Sequence, residues 1–514
     1  MPRPELDRNS EERGQEKPRQ ATAPLVEALT AYAQRVPISF HVPGHKRGTS
    51  FRRDPQADSW LGAIGPYDAT ELPGLDDLHA PEGAIREAQQ LASELFGAEK
   101  TYFLVGGSTV GNLAMLHAVC EPGELVLMQR NVHKSAIHGL MLARARAVMM
   151  APAAEAAAGL YSGVTAETVE RALKAYPEAK AVYITNPNYY GMATDVKSIA
   201  DAAHAYGKPL LVDEAHGAHF GLYDGLPVSA LSCGADAVVQ STHKMLSALT
   251  MGAMLHVQGE RFDRRRLERR LHMLQSSSPS YPILASLDWA RKEAYAAAKA
   301  GGFRDCLAAA ERVREAMGTG RMRLAAIQGP LEQGRQDPLK LLLYDTVGVW
   351  SGFRIGELLR ERRCDIEMAT ERYALCAFGI GSTLVHAERL LEAIAEITER
   401  YPAIKQENCE KIANIKQLWT TLLSEPISFA PDDGGRAEEG REDSFSLPLQ
   451  QAIGAYSAES VIPYPPGIPL LLPGERISDA VVGQLTELRA AGASFQGTED
   501  PTLAELRVWR MKEG

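Results

Sequence analysis

Several features that a chain of 514 residues often carries are scarce or missing here. Cysteine is one: Cys120, Cys233, Cys306, Cys364, Cys376 and Cys409 make up the whole set of six. They are too sparse for a disulfide scaffold and none stand at metal-ligand spacing. Free thiols in a reducing compartment are therefore expected, and no metal. Long apolar runs are also missing. The most apolar stretch, Ala136 to Leu160, is broken by Arg144, Arg146 and Glu155, so no membrane-spanning helix is expected. Met1 to Gln20 is charged and has no apolar core, so no signal peptide is expected and the cytoplasm is the expected location. Positive charge is not in excess. Lys and Arg number 55 against 65 Asp and Glu, a formal net charge of -10, which argues against a broad nucleic-acid surface. No internal repeat recurs at a fixed period.

What is present is an ordinary globular balance, 45% hydrophobic and 23% charged, with ample chain for several domains. Residues 1–22, rich in Glu, Arg, Pro and Gln, are expected to be disordered. From Pro81, Ile85, Ala88, Leu91, Ala92, Leu95 and Phe96 recur at helical spacing, and Gly97 is a fitting C-cap. Tyr102 to Val105 reads as a strand, Gly106 to Asn112 as the opening of a helix that continues from Leu113 to Val119, and Leu125 to Gln129 as the next strand. A β-α-β unit follows: Ala181–Thr185, a helix Val196–Tyr206 ending at Gly207, and Pro209–Asp213. Strands apolar on both faces, separated by helices, predict a mostly parallel sheet covered on both sides. A second α/β pattern runs from about 320 to 425, with strands Leu341–Tyr344 and Ala374–Phe378. Ala430–Asp443 reads as a linker, and Ile462–Pro469 as too proline-rich for regular structure.

The chemistry-bearing residues sit at the expected strand ends, where ligands gather in such sheets. One apolar run leads into Asp213-Glu214-Ala215-His216, another into Ser241-Thr242-His243-Lys244. The first could be an acidic cluster with no ligand, or the acidic box of a helicase-type ATPase. The second class needs a G-x-x-x-x-G-K-[ST] loop, and none precedes it. A third assignment also accounts for Lys244. Pyridoxal phosphate takes a lysine as its covalent anchor and an aspartate to keep its pyridine nitrogen protonated. Gly106–Asn112 could then cradle the phosphate, with Ser108 and Thr109 supplying hydroxyls, or be a plain glycine-rich turn. His133 could stack on the pyridine, or be structural. His216 and His219 alone are a poor metal pair.

Taken in order along the chain, these segments resemble the pyridoxal-phosphate decarboxylases of ornithine, lysine and arginine. The matching stretches are Phe40–Lys46, Gly74–His79, Arg130–Ser135, Asp213–Gly217, Ser241–Lys244, Ser277–Tyr281 and Pro463–Pro469. The length is similar to the shorter, Gram-positive-type members. The resemblance implies an α/β fold-type-I architecture: an N-terminal arm (23–75), a cofactor-binding large domain (76–320), a small α/β domain (321–425) and a C-terminal domain (426–514). It implies a homodimer or higher homo-oligomer with shared active sites; the place of His41–Lys46 in the N-terminal arm suggests a dimer contact.

The implied site has Lys244 as anchor, Asp213 as pyridine acid, His133 stacked on the ring and His216 close to it. Phosphate ligands are Ser108, Thr109, Ser241 and His243, with Ser276 or Ser277 from the partner; the family usually has threonines there. The implied reaction is decarboxylation of a cationic amino acid to an amine, as in polyamine biosynthesis. Lys244, His216 and a partner residue are all candidates to protonate Cα. Glu367 is the candidate contact to the substrate's distal cation, Tyr464 lines the entrance, and Arg372 is structural. Aminotransfer, aldol cleavage and an inactive cofactor-binding relative are the alternatives.

Overall fold

Seven strands from the first half of the chain build one sheet: β1 (Lys100–Leu104), β2 (Leu125–Gln129), β3 (Arg146–Met150), β4 (Val182–Thr185), β5 (Leu210–Asp213), β6 (Ala237–Gln240) and β7 (Ala253–Val257). They lie in the order β1-β7-β6-β5-β4-β2-β3, and Ile427–Ser428 returns to pair antiparallel with β3. All pairings from β6 to β3 are parallel; β7 alone of the seven runs against its neighbours. The computed structural model describes residues 18–155, 158–318, 322–327, 335–402, 421–429, 441–464, 467–490 and 492–511.

The strands are apolar on both faces because both faces are covered. Leu210 and Val212 of β5 join one buried cluster and Leu211 the other. The first cluster is closed by helices Ala84–Phe96, Ala166–Ala175, Val196–Ala205 and Tyr281–Ala300, the second by Gly107–Val119, Lys134–Ala143 and Arg264–Leu274. The helix Gly107–Val119 lies close on the sheet at Gly111, where a Cβ would overlap Val239. That approach brings the helix N-terminus to the carboxyl ends of β5 and β6.

A four-stranded antiparallel sheet follows, in the order Leu324–Ala326, Lys340–Asp345, Ala374–Ala377, Met368–Ala369. Arg323 makes a paired contact to Asp345, both bonds 3.0 Å, at its edge. In the C-terminal part, Glu505–Met511 pairs with Arg441–Pro448 and Tyr456–Ser457, and helix Asp479–Ala490 packs on them.

Three expectations need correction or limits. Residues 1–17 of the segment expected to be disordered lie outside the described residues, but from Pro18 the chain is ordered. Arg19–Ala21 forms a 3-10 turn, and buried Arg291 donates to the carbonyls of Gln20 and Thr22. Ile462–Tyr464 is a strand despite Pro463. It belongs to a two-stranded ribbon with Ser494–Gln496, where one side of each strand makes no ladder bonds and proline is tolerated. Most of the expected linker, 430–440, lies outside the described residues, and Arg441–Asp443 already belongs to a strand.

Candidate active site

β5 and β6 are neighbours, and each carries a reactive group just past its buried run. Asp213 ends β5 and is paired in register with Thr185 of β4. Its carboxylate accepts from Asn112 Nδ2 at 2.8 Å and from the Ala215 amide at 3.0 Å. Asn112 is held in turn by the Tyr183 hydroxyl, which donates to Oδ1 at 2.8 Å. Burial pushes Asp213 up; the Lys244 charge and these two hydrogen bonds oppose it. After β6 the chain turns at Ser241 into a four-residue helix, Thr242–Met245, which aims Lys244 back across the strand ends. Lys244 Nζ lies 3.0 Å from His216 Nε2 and 5.5 Å from the Tyr189 ring centre. Burial lowers the Lys244 amine to about 8, against the pull of Asp213. An amine near that value keeps a usable neutral fraction at physiological pH.

On one side of this pair lies an anion cradle. Ser241 Oγ donates to Ser108 Oγ at 2.7 Å, joining the β6 turn to the first turn of helix Gly107–Val119. First-turn amides have no partner within a helix, and the helix dipole adds positive potential there. Gly107, at φ +73°, lets its amide reach the Met251 carbonyl at 2.8 Å. Thr109 is exposed one residue after Ser108. His243 turns its Nδ1 to the Gly252 carbonyl at 3.0 Å, so only its other nitrogen can face an anion.

On another side stands His133, which caps helix Lys134–Ala143. Its Nδ1 sits 2.7 Å from Ser135 Oγ, and that oxygen accepts from Asn112 Nδ2 at 3.0 Å. One polar chain thus runs His133–Ser135–Asn112–Asp213. Burial, then the charges of Lys244 and Lys134, lowers His133 to about 3, so it is a neutral ring. Tyr189 faces both histidines, its ring centre 4.6 Å from that of His216 and 6.3 Å from that of His133.

This donor set fits pyridoxal phosphate: a buried carboxylate, a buried amine, hydroxyls at a helix N-terminus, and flat neutral rings. Thr185 Oγ1, beside Asp213, is buried and has no hydrogen-bond partner among the described residues. That leaves a polar atom ready for a ligand.

The structure therefore brings together Lys244, Asp213, His133, His216, Ser108, Ser241 and, at the edge, His243, with Thr109 exposed beside Ser108. Glu367 is exposed one residue before the strand Met368–Ala369 of the small antiparallel sheet, yet its charge acts on Lys244, Lys340, His243 and Tyr189. Tyr464 is also exposed, with the Lys134 ammonium 5.2 Å from its ring centre. Ser276 and Ser277 are exposed and do not join the group. The Gly74–His79 stretch has a structural task. Asp76 accepts from the amides of Glu82, Gly83, Ile85 and Arg86 and caps the first covering helix from outside.

Sequence reasoning missed three residues: Tyr189, Lys340 and the role of Asn112. Tyr189 follows β4 in Asn186-Pro187-Asn188-Tyr189, at the same sheet end as Asp213, which was the available signal. Lys340 opens a strand of the other sheet, and nothing local marks it.

A mostly parallel sheet with one reversed strand, followed by a smaller antiparallel sheet and a C-terminal part, is a fold-type-I architecture. The lysine decarboxylase of Francisella novicida shares the fold, with a TM-score of 0.77 at 19% identity, covering 96% of this chain and 82% of that one. Residues 23–343 match the Orn/Lys/Arg decarboxylase major domain and 430–502 the C-terminal domain of the same family. Among relatives, an uncharacterized protein of Bacillus subtilis, YaaO, is 40% identical over 491 residues, 95% of this chain and 99% of that one. An arginine decarboxylase of Bacillus subtilis is 35% identical over 503 residues, 95% and 98%. The chain belongs to the Orn/Lys/Arg decarboxylase family and is an amino-acid decarboxylase.

Proposed function

We propose that the chain decarboxylates a basic amino acid, with arginine the first substrate to test, using pyridoxal phosphate anchored on Lys244. The observation that carries the cofactor assignment is the convergence of Lys244 and Asp213 on adjacent parallel strand ends beside the Ser108–Ser241 cradle. Arginine comes first because relatives carrying that name match this chain at 32–35% identity, over 88–96% of its length.

When bound, the cofactor supplies an electron sink for the pair left at Cα as carbon dioxide departs. The protein's part is positioning. Asp213, braced by Asn112, holds the proton on the pyridine nitrogen. Ser108, Thr109, Ser241 and His243 hold the phosphate. Ser277, exposed on one subunit, is the proposed addition to its neighbour's phosphate site in a homo-oligomer. His133 and Tyr189 confine the ring. Glu367 pairs with the distal cation of the substrate, and Tyr464 flanks the entrance. Arg372, whose guanidinium lies 5.3 Å from the Tyr373 ring centre, is a structural residue, which leaves the carboxylate free to go.

The test is incubation of the purified chain with arginine, lysine and ornithine while carbon dioxide and amine are followed. A keto acid in place of an amine would show aminotransfer instead. Lys244→Ala is expected to lose the visible absorption band of the bound cofactor; its retention refutes the anchor. Glu367→Gln is expected to lower kcat/KM on the basic substrate by about tenfold to a hundredfold, the worth of one charge-assisted hydrogen bond. An equal loss on neutral amino acids removes Glu367 from the specificity role.

A further inference from the structure

His216 has a lysine at each ring nitrogen. Lys244 Nζ is 3.0 Å from Nε2, and Lys340 Nζ is 3.4 Å from Nδ1. All three side chains are buried or nearly so. Burial drives His216 well below its ordinary value, with the charges of Lys244, Lys340, His133 and His243 adding to the effect. The ring is therefore neutral, with one N–H and one lone pair. It can accept from one lysine only, and must present its N–H to the other.

Lys340 is the donor the fold holds in place, although burial lowers its amine against the charges of Asp337 and Glu367. Its stem is clamped by Gly191, where a Cβ would come within 2.7 Å of the Lys340 Cγ. Its counter-charge is built in: Asp337, in the same turn, accepts from the Leu339 amide at 2.9 Å and lies 3.1 Å from His219 Nε2. That last contact is close enough for an ion pair but is not aligned as a hydrogen bond. Burial would raise Asp337, but His219 and Lys340 outweigh it, so the carboxylate stays ionised. Lys244 draws on the charge of Asp213, a carboxylate it shares with the hydrogen bonds from Asn112 and Ala215.

We propose that Lys340 is a positioning residue: its ammonium donates to His216 Nδ1, fixes the ring as the Nε2–H tautomer, and so turns a donor towards Lys244. A donor there pairs with the lone pair of a neutral amine and opposes an ammonium. Lys340 thereby holds Lys244 in its nucleophilic form from the far side of the ring. The inference deepens the proposed function and rests on Lys244 being the anchor. The other groups around the relay are Tyr189, His133 and His243 beside the ring, Asp213 and Glu367 acting on Lys244, and Asp337 and Glu367 acting on Lys340; the Lys340 charge also lowers Lys244 directly.

The test is the rate at which the full-length chain, stripped of cofactor, takes up pyridoxal phosphate as a function of pH, read by visible absorption. Lys340→Met is expected to slow uptake at pH 7 by about tenfold, a rise of one unit in the Lys244 amine, with the rates converging at high pH. Lys340→Arg, which keeps donor and charge, is expected to restore the wild-type profile. In a His216→Phe background Lys340→Met is expected to have a clearly smaller effect, that of the direct Lys340 charge alone. An unchanged profile, or the same shift with and without His216, overturns the proposal. A second measurement needs no Lys340 variant. In protein labelled with 15N-histidine, the His216 signal, assigned by its loss in His216→Phe, is expected to report the Nε2–H tautomer; the Nδ1–H form overturns the proposal. Failure of the anchor reading looks different: Lys244→Ala would then take up cofactor normally.

Discussion

Glu214, next to the pyridine acid, allows a quantitative prediction about stability. It is wholly buried and accepts from the Ala230 amide at 2.7 Å, Ser229 Oγ at 3.0 Å and Gln240 Nε2 at 2.7 Å. Burial still dominates and pushes its carboxyl from 4.5 up to about 8. A group whose folded pKa is raised contributes stability that is fully present below its unfolded value and lost as pH rises through the folded one. The window here is pH 4.5 to 8, and the gap of about 3.5 pH units corresponds to at most ~5 kcal/mol. Glu214→Gln removes that dependence and costs about 1–3 kcal/mol at all pH values, because its amide meets the Gln240 amide as donor against donor. The variant is thus expected to be less stable than wild type at pH 5 and as stable or more stable at pH 8.5. Urea unfolding of both proteins at the two pH values reads the crossover. A difference that stays constant across the window refutes the assignment of a buried, protonated Glu214.

Other expectations follow from the same geometry. Asn112→Ala leaves the Tyr183 hydroxyl and one oxygen of Asp213 without their partner, which should cost about 2–4 kcal/mol and weaken cofactor retention, checked by thermal unfolding and by dialysis. Asp213→Asn removes the opposing charge that supports the Lys244 ammonium. The amine should then fall below about 8 and the uptake profile move to lower pH, the opposite direction to Lys340→Met. Arg130→Met takes the guanidinium from the Glu475 carboxylate, which still accepts from the Leu472 amide, and should cost about 1–3 kcal/mol, seen as earlier release of the C-terminal part in limited proteolysis.

The large sheet was legible in the sequence because its strands are apolar on both faces and short helices separate them. Asp213 and Lys244 were legible because each stands where such a run stops. Less was visible wherever the partner is remote. Lys340 lies 124 residues from His216 and on another sheet, so no periodicity or local motif joins them. Tyr189 sat in a loop whose position became meaningful only once β4 and β5 were neighbours. Pro463 misled for a different reason. A rule about proline holds for central strands and not for a two-stranded ribbon. Ser277 is exposed and no described contact joins it to the site.

The C-terminal part is hitched to the turn that carries His133. Arg130 forks onto Glu475 at 2.9 and 2.7 Å and donates to the carbonyls of Pro469 and Leu470. One residue past the His133 cap, Lys134 adds its amide to the Gly467 carbonyl and its ammonium to Gln496. A fragment ending before residue 430 would keep Lys244 and Asp213 but lose every one of these ties, leaving a buried guanidinium with no counter-charge from Glu475. Such a fragment is a poor substitute for the enzyme, and a C-terminal unit grafted from a relative works only if it brings its own match for Arg130.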